Sequence, residues 1–344
     1  MPLLFSAGKQ HLAASLLSGT GLLNVARFVR RRASRGLTIF AYHRVLTHLP
    51  SAFSFDPEVV SAFADDFERQ ARHIQRHCTP MTFAEVRELE DAGRPFPPHA
   101  VILTFDDGYK DNATVVAPIL KRCGIPATFF ITTGYLTDRR LFWWDEAANI
   151  IWKCALPLPP LPEFGLDARA LASMADRPSI IRAVLRRCHQ LPDDQRVDLI
   201  RRLAALTGVH PDHGAADAEL LTWEDVAAMA EDGFEIGSHT VTHPVLTRVD
   251  AARQDAELTD SKRILEQRLN RRIEVFAYPV GAMHCVSEAL AARVKAAGYR
   301  YAVTYIGGTN QAIGNPYALR RQHVGLDTTG PTFQASLVFP ELFQ

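Results

Sequence analysis

The sequence lacks several features, and each absence excludes a class of protein. It has no C-x-x-C pair: its five cysteines, Cys78, Cys123, Cys154, Cys188 and Cys285, are odd in number and scattered over 344 residues. That excludes a disulfide framework and a zinc knuckle, and reads as buried thiols in a reducing compartment. No run of about 18 apolar residues occurs, so no membrane span is expected. No internal repeat is visible. There is no excess of either charge, since 38 basic residues balance 38 acidic ones, which argues against a nucleic-acid partner. Nor is the chain poor in hydrophobic residues, which make up 47% and exclude disorder.

The zero balance hides a segregation. Residues 1–35 carry Lys9, Arg27, Arg30, Arg31, Arg32 and Arg35 and no acid, leaving 32 basic against 38 acidic residues in the rest. A secretory signal places its positive charge before the apolar stretch, whereas here the arginines follow the patch around Leu12–Leu23. The segment reads as a basic amphipathic lead-in suited to peripheral contact with an anionic membrane surface. The expected location is cytoplasmic, including the inner face of the membrane, in preference to secretion.

From residue 36 onward, strand-like and helix-like segments alternate, as in a parallel α/β sheet or barrel. Strands are predicted at 37–43, 79–83, 100–105, 127–132, 233–239, 273–279 and 299–305. Helices are predicted from the spacing of Val59, Val60, Phe63, Phe67 and Ile74, at 83–91, before Cys123, and at about 250–269 and 286–297. Seven strands in βα order predict a distorted (β/α) barrel over 36–344. It is interrupted at about 138–221 by an insertion expected to be mostly helical, because a structureless stretch of that length is improbable. The run "PLPPLP" within it reads as a stiff linker rather than an SH3-type ligand.

Two constellations carry chemistry. In "LTFDDGYKDN" (103–112), Asp106 and Asp107 stand where an apolar strand ends, the catalytic face of a βα barrel. Adjacent carboxylates there can divide labour, one holding a metal and the other taking a proton from water; taken alone, D-D-G also fits a polar turn. In "GSHTVTH" (237–243), His239 and His243 again follow a strand, and two imidazoles with one carboxylate make a facial metal set. The spacing itself means little. His73 and His77 repeat it on an amphipathic helix, where a solvated face explains them, and His210 and His213 read as loop residues.

Together these motifs resemble the polysaccharide deacetylase family, the carbohydrate-esterase group (family 4) with the NodB homology domain. Thr104–Gly108 matches its T-F-D-D-G motif and His239–His243 its H-[ST]-x-x-H motif. "AYHRV" (41–45) and "FAYPVG" (276–281) look like segments of its exopolysaccharide branch. The resemblance covers roughly 36–137 and 222–326. It implies a metal-dependent hydrolase that removes acetyl groups, N-acetyl above O-acetyl, from a polysaccharide, oligosaccharide or glycolipid. Asp107, His239 and His243 would hold a divalent metal, zinc first with cobalt, nickel or manganese as alternatives, and Asp106 would be the general base. The backbone N–H after Asp107, or that of Val280, would complete an oxyanion hole, with Tyr278 beside it.

The sequence also departs from the family pattern. Ala277 stands where many members carry an arginine that contacts the base, so Arg320 or Arg321 would have to supply that charge. The late family motifs are absent, leaving His323 and His43 as candidates for the acid that protonates the amine, with His284 behind them. Phe142, Trp143 and Trp144 either line the sugar groove or anchor the insertion. The missing arginine supports a second reading, a non-catalytic, metal-containing glycan-binding protein.

Overall fold

The computed structural model describes Ala14 and residues 36–50, 53–155, 158, 160–162, 165–166, 177–210 and 213–340. The basic lead-in, apart from Ala14, and much of the proline-rich run lie outside the described residues. Among the described residues, no helix is long and apolar enough to cross a membrane.

Among the described residues ten strands form: β1 Leu37–Tyr42, β2 Arg44–Leu46, β3 Val60–Phe63, β4 Thr79–Pro80, β5 Ala100–Phe105, β6 Thr128–Ile131, β7 Glu235–Ser238, β8 Val275–Ala277, β9 Tyr301–Val303 and β10 Gln322–His323. The main sheet is parallel throughout and runs β10-β1-β5-β6-β7-β8-β9, with β4 beside the first half of β5. Its two ends meet at a parallel bridge from Val303 to Leu319, just before β10. A seven-membered ring therefore closes through one short bridge, which is the distortion. Short βα barrels tolerate it because both sheet faces are covered.

Two local expectations change. Thr79–Pro80 flanks β5 outside the ring, and the seventh ring member is Gln322–His323. The expected helix starts later: Val59 ends a short 3₁₀ turn, Val60–Phe63 pairs with β2, and the helix runs Ala64–His77. Val, Ser, Ala and Phe there bury one edge of a small two-stranded sheet, and packing overrides a helical spacing four residues too early.

The strand period of two sorts the ring residues into layers. Leu37 and Ile39, Ala100 and Ile102, Phe130, Val275 and Ala277, Tyr301 and Val303, and Leu319 fill the barrel interior. Their neighbours Phe40, Tyr42, Val101, Leu103, Phe105, Phe129, Ile236, Phe276 and Ala302 pack outward under the helices. Gly237 lies at an inward position of β7, where a Cβ would overlap the Phe130 ring, so only glycine lets that ring fill the interior.

Between β6 and β7 the chain forms helices Trp143–Lys153, Arg177–Gln190 and Asp193–Thr207. They share a second apolar core of Trp143, Ile150, Ile181, Val184, Leu199 and Leu203, which meets the barrel at Tyr109 and Tyr135.

Candidate metal centre

The period that fills the barrel also aims the site. Continuing the inward register of β5 past Ile102 and Thr104 reaches Asp106, and continuing that of β7 past Gly237 reaches His239. Both side chains thus enter the barrel mouth from strand ends. Asp107 follows in a left-handed backbone conformation at φ 78°, and Gly108 at φ 105° completes the turn, a conformation open to few residues but glycine. His243 also has positive φ, as do Thr240 and Val280. A β-branched valine in that region is costly, and such strain concentrates at functional sites.

Asp107 Oδ1 lies 3.5 Å from His239 Nε2 and 3.6 Å from His243 Nε2, and the two imidazole nitrogens are 3.2 Å apart. All three residues are buried. Metal–ligand bonds of about 2.0–2.2 Å at tetrahedral angles put ligand atoms about 3.3–3.6 Å apart, so this triangle fits a first-row divalent ion. The ring orientations also fit. His239 Nδ1–H donates to Ala277 O at 2.8 Å, which leaves Nε2 with its lone pair facing the triangle. Burial, reinforced by neighbouring His239 and Arg196, pushes His243 well below the ordinary imidazole range, which favours the neutral, ligating form of that ring.

The loop that carries the histidines is fixed from both sides. Glu257, buried on the helix Ala251–Leu269, accepts from Val241 N (2.7 Å), Thr242 N (2.9 Å) and the Thr242 hydroxyl (2.6 Å). On the other side, Thr133 N and Gly134 N donate to Thr240 O and Val241 O. Glu257 has no motif around it, and its sequence looks like one more acid on a solvated helix.

Asp106 is gripped by Arg321, with Nη1 to Oδ1 at 2.8 Å and Nη2 to Oδ2 at 2.7 Å. Arg321 is fully buried and also donates to Thr104 Oγ1 and Thr304 O. Burial opposes ionisation of Asp106, but the guanidinium overrides it and holds the carboxyl at about 2. Arg321 thus makes the contact left open by Ala277, while Arg320 turns outward to Gly307 O.

These groups face a cleft of about 280 Å³ lined by His43, Asp106, Asp107, His239 and His243, with Tyr278, Val280, Tyr305 and Arg321. Leu185 and His189 close it from the insertion, and Asp56 and Val59 from the loop after β2. Burial pushes the Asp56 carboxyl up to about 6. A larger cleft, about 690 Å³, lies behind Trp143 and holds none of Asp107, His239 and His243. Asp111 and Asn112 anchor the segment bearing His43: Asp111 accepts from Arg44 Nε and Val45 N, and Asn112 Nδ2 donates to His43 O.

Three candidates are placed differently from expectation. His323 does not line the cleft; its ring stacks on Tyr305 at 3.6 Å and its Nε2–H donates to Tyr305 O. The ring stack and the carbonyl already occupy both its face and its proton. Trp143 is buried away from the cleft, with Nε1 donating to His243 O, and the aromatic that reaches the cleft is Trp144. The N–H after Asp107, on Gly108, is spent on Asp106 O, whereas that of Val280 meets no backbone carbonyl among the described residues.

Comparison with known proteins agrees with this geometry. The family model for polysaccharide deacetylases matches residues 93–191 and 194–302. The polysaccharide deacetylase-like protein YxkH of Bacillus subtilis is 33% identical over 115 residues, which is 33% of this chain and 40% of that protein. The poly-β-1,6-N-acetyl-D-glucosamine N-deacetylase of Escherichia coli is 46% identical over 73 residues, 20% of this chain and 11% of that protein. The matched stretches thus span well under two thirds of either relative. Among solved structures, the Streptococcus pyogenes deacetylase PplD in complex with acetate superposes with a TM-score of 0.57 at 19% identity, covering 89% of this chain and 99% of that one. IcaB from Ammonifex degensii gives 0.54 at 17%, covering 89% and 97%. These two likenesses show the fold, and the family model, which spans more than half of the sequence and includes both the 104–108 and the 239–243 motifs, shows that this chain belongs to the polysaccharide deacetylase family.

Proposed function

We propose that this chain is a metal-dependent deacetylase that hydrolyses N-acetyl groups on an amino-sugar glycan. The observation that carries the reading is the buried Asp107–His239–His243 triangle beside an ionised Asp106 in one cleft. An ion held there would supply Lewis acidity, lowering the pKa of water and polarising an acetyl oxygen. Asp106, kept ionised by Arg321, takes a proton from the attacking water, whose oxygen bonds to the acetyl carbon. The C–N bond then breaks as the nitrogen takes a proton from His43, which lines the same cleft, and acetate and a free amine leave. The Val280 N–H, in the same cleft, would receive the negative oxygen that develops at the acetyl group. The N-acetylglucosamine polymer named for the E. coli relative is the first substrate to test.

The alternative, a non-catalytic glycan-binding protein, rested on the arginine missing at Ala277. Arg321 fills that contact, which removes its ground. The test is acetate release from N-acetylated β-1,6-glucosamine oligomers, measured with the protein as purified, after chelation, and after Zn²⁺ or Co²⁺ is returned. Release that stops with chelator and returns with metal is expected. Release unaffected by a chelator that strips the metal overturns the mechanism.

A further inference from the structure

The insertion begins with Phe142, Trp143 and Trp144, and the first turn of its first helix holds both ends of one metal-ligating residue. Trp143 Nε1–H donates to the His243 carbonyl at 3.3 Å, and the Trp144 ring packs on the His243 imidazole at 4.5 Å. His239 is oriented by a hydrogen bond from Nδ1, but His243 Nδ1 is buried without a hydrogen-bond partner. Metal-ligating imidazoles are ordinarily aimed by the hydrogen bond of their second nitrogen. For His243 that task falls to ring packing.

Packing aims a ring only if the ring it packs on is itself held. Trp144 is held on several sides. Its face stacks on Phe142 at 4.6 Å with the planes 4° apart, and Trp143 meets it edge-on at 5.3 Å. Its Nε1–H donates to Tyr109 Oη at 2.7 Å, and the Tyr109 hydroxyl donates to Asp145 Oδ2 at 2.8 Å. Asp145 Oδ1 accepts from Asp56 N at 3.1 Å, and the Arg44 guanidinium lies 4.5 Å above the Tyr109 ring. Every member of this chain is buried. Tyr109 lies two residues after the metal-ligating Asp107, so the strut runs from one side of the metal triangle back to the other.

We infer that Trp144, held by Tyr109 and Asp145, is the positioning residue that sets the His243 ring for metal binding, and that the insertion is thereby part of the metal centre. This rests on the metal reading above. Its consequence is that a change in the insertion core alters metal affinity without touching a ligand.

The test uses the full chain and Co²⁺ alone as probe, so it needs no substrate. Co²⁺ affinity and the visible ligand-field spectrum are measured for wild type, Tyr109→Phe, Trp144→Phe and the double variant, with thermal melting alongside. Tyr109→Phe removes a single oxygen, and Trp144→Phe keeps an aromatic ring but loses the hydrogen bond. Each is expected to weaken Co²⁺ binding about tenfold, as loss of a supporting contact behind a metal ligand does, and to shift the spectrum. Because Tyr109 acts through Trp144, the double variant should bind no more weakly than Trp144→Phe alone. Tyr301→Phe, which loses the hydrogen bonds of its hydroxyl with Glu90 and Arg300 at the strand end opposite the triangle, should lower the melting temperature and leave Co²⁺ affinity unchanged. Wild-type affinity and spectrum in both single variants would overturn the inference, as would fully additive losses in the double variant or an equal loss in Tyr301→Phe. Absence of Co²⁺ binding by the wild-type chain overturns the metal reading itself, and this inference with it.

Discussion

Arg321 and Asp106, 215 residues apart in sequence, form a two-pronged ion pair in the barrel mouth at 2.8 and 2.7 Å. The pair sets both the charge and the direction of the carboxylate beside the Asp107–His239–His243 triangle. Removing one partner leaves the other charged, buried and uncompensated, which is far costlier than losing a surface ion pair. Arg321→Ala should therefore lower folding stability by about 3–5 kcal/mol in urea or guanidinium unfolding. Arg321→Lys keeps the charge but not the planar fork, and should fall between Arg321→Ala and wild type. Wild-type stability in Arg321→Ala would show that the pair contributes nothing net.

Replacing Asp106 by Asn should separate metal binding from chemistry. Asn cannot accept the proton from water, but the triangle of Asp107, His239 and His243 is intact. Acetate release should fall by roughly 10²–10⁴-fold while metal content, read by elemental analysis, stays at the wild-type level. Asp107→Ala, His239→Ala and His243→Ala should instead lose metal and activity together.

Acid should destabilise the fold through the same carboxylate. The folded-state value of Asp106 is about 2, against 3.8 for the unperturbed group, so the unfolded chain binds the proton more readily. That stability is present above pH 4 and is lost as pH falls from about 4 through 2; two pH units correspond to about 2–3 kcal/mol. Asp106→Asn should flatten this limb of the stability-versus-pH curve. An unchanged acid limb in the variant would assign the loss to other carboxylates.

The two candidate proton donors make opposite predictions. His43 lines the cleft, whereas His323 is stacked on Tyr305 outside it. His43→Ala should reduce kcat strongly with metal content unchanged, and His323→Ala should retain most of the wild-type rate. The reverse ranking would move the acid to the last strand.

Gly237→Ala tests whether the barrel interior sets the metal site. The added methyl overlaps the Phe130 ring, so either the ring or the strand must shift. A cost of about 1–3 kcal/mol is expected for such overpacking. His239 follows two residues later on the same face, so Co²⁺ affinity should drop in parallel with the melting temperature.

Much of this was legible in the amino-acid order because the signals are local. The run "AVILTF" reads as a strand covered on both faces, and D-D-G directly after it puts two carboxylates at a strand end. "GSHTVTH" does the same for the imidazoles. Glu257 was not legible, because one buried acid on a charged helix has no pattern of its own; its role comes from facing the 240–243 loop. His189 and Leu185 were hidden likewise, since only packing of the insertion brings them over the cleft. Trp143 and Trp144 are adjacent in sequence, yet one grips a backbone carbonyl behind the site and the other faces the site. Helical rotation of about 100° per residue separates them, and no composition argument tells which is which.

By itself, then, the sequence determined the barrel class, the helical insertion as an expectation, and the motif residues Asp106, Asp107, His239 and His243, because periodicity and turn chemistry act over a few residues. Tertiary structure alone decided which arginine answers Asp106, which tryptophan ring packs on His243, and how the ring closes between Val303 and Leu319. Those are contacts between residues up to some two hundred positions apart. They depend on which side chains the folded layers bring to the same point, and that is settled by packing in three dimensions rather than by order along the chain.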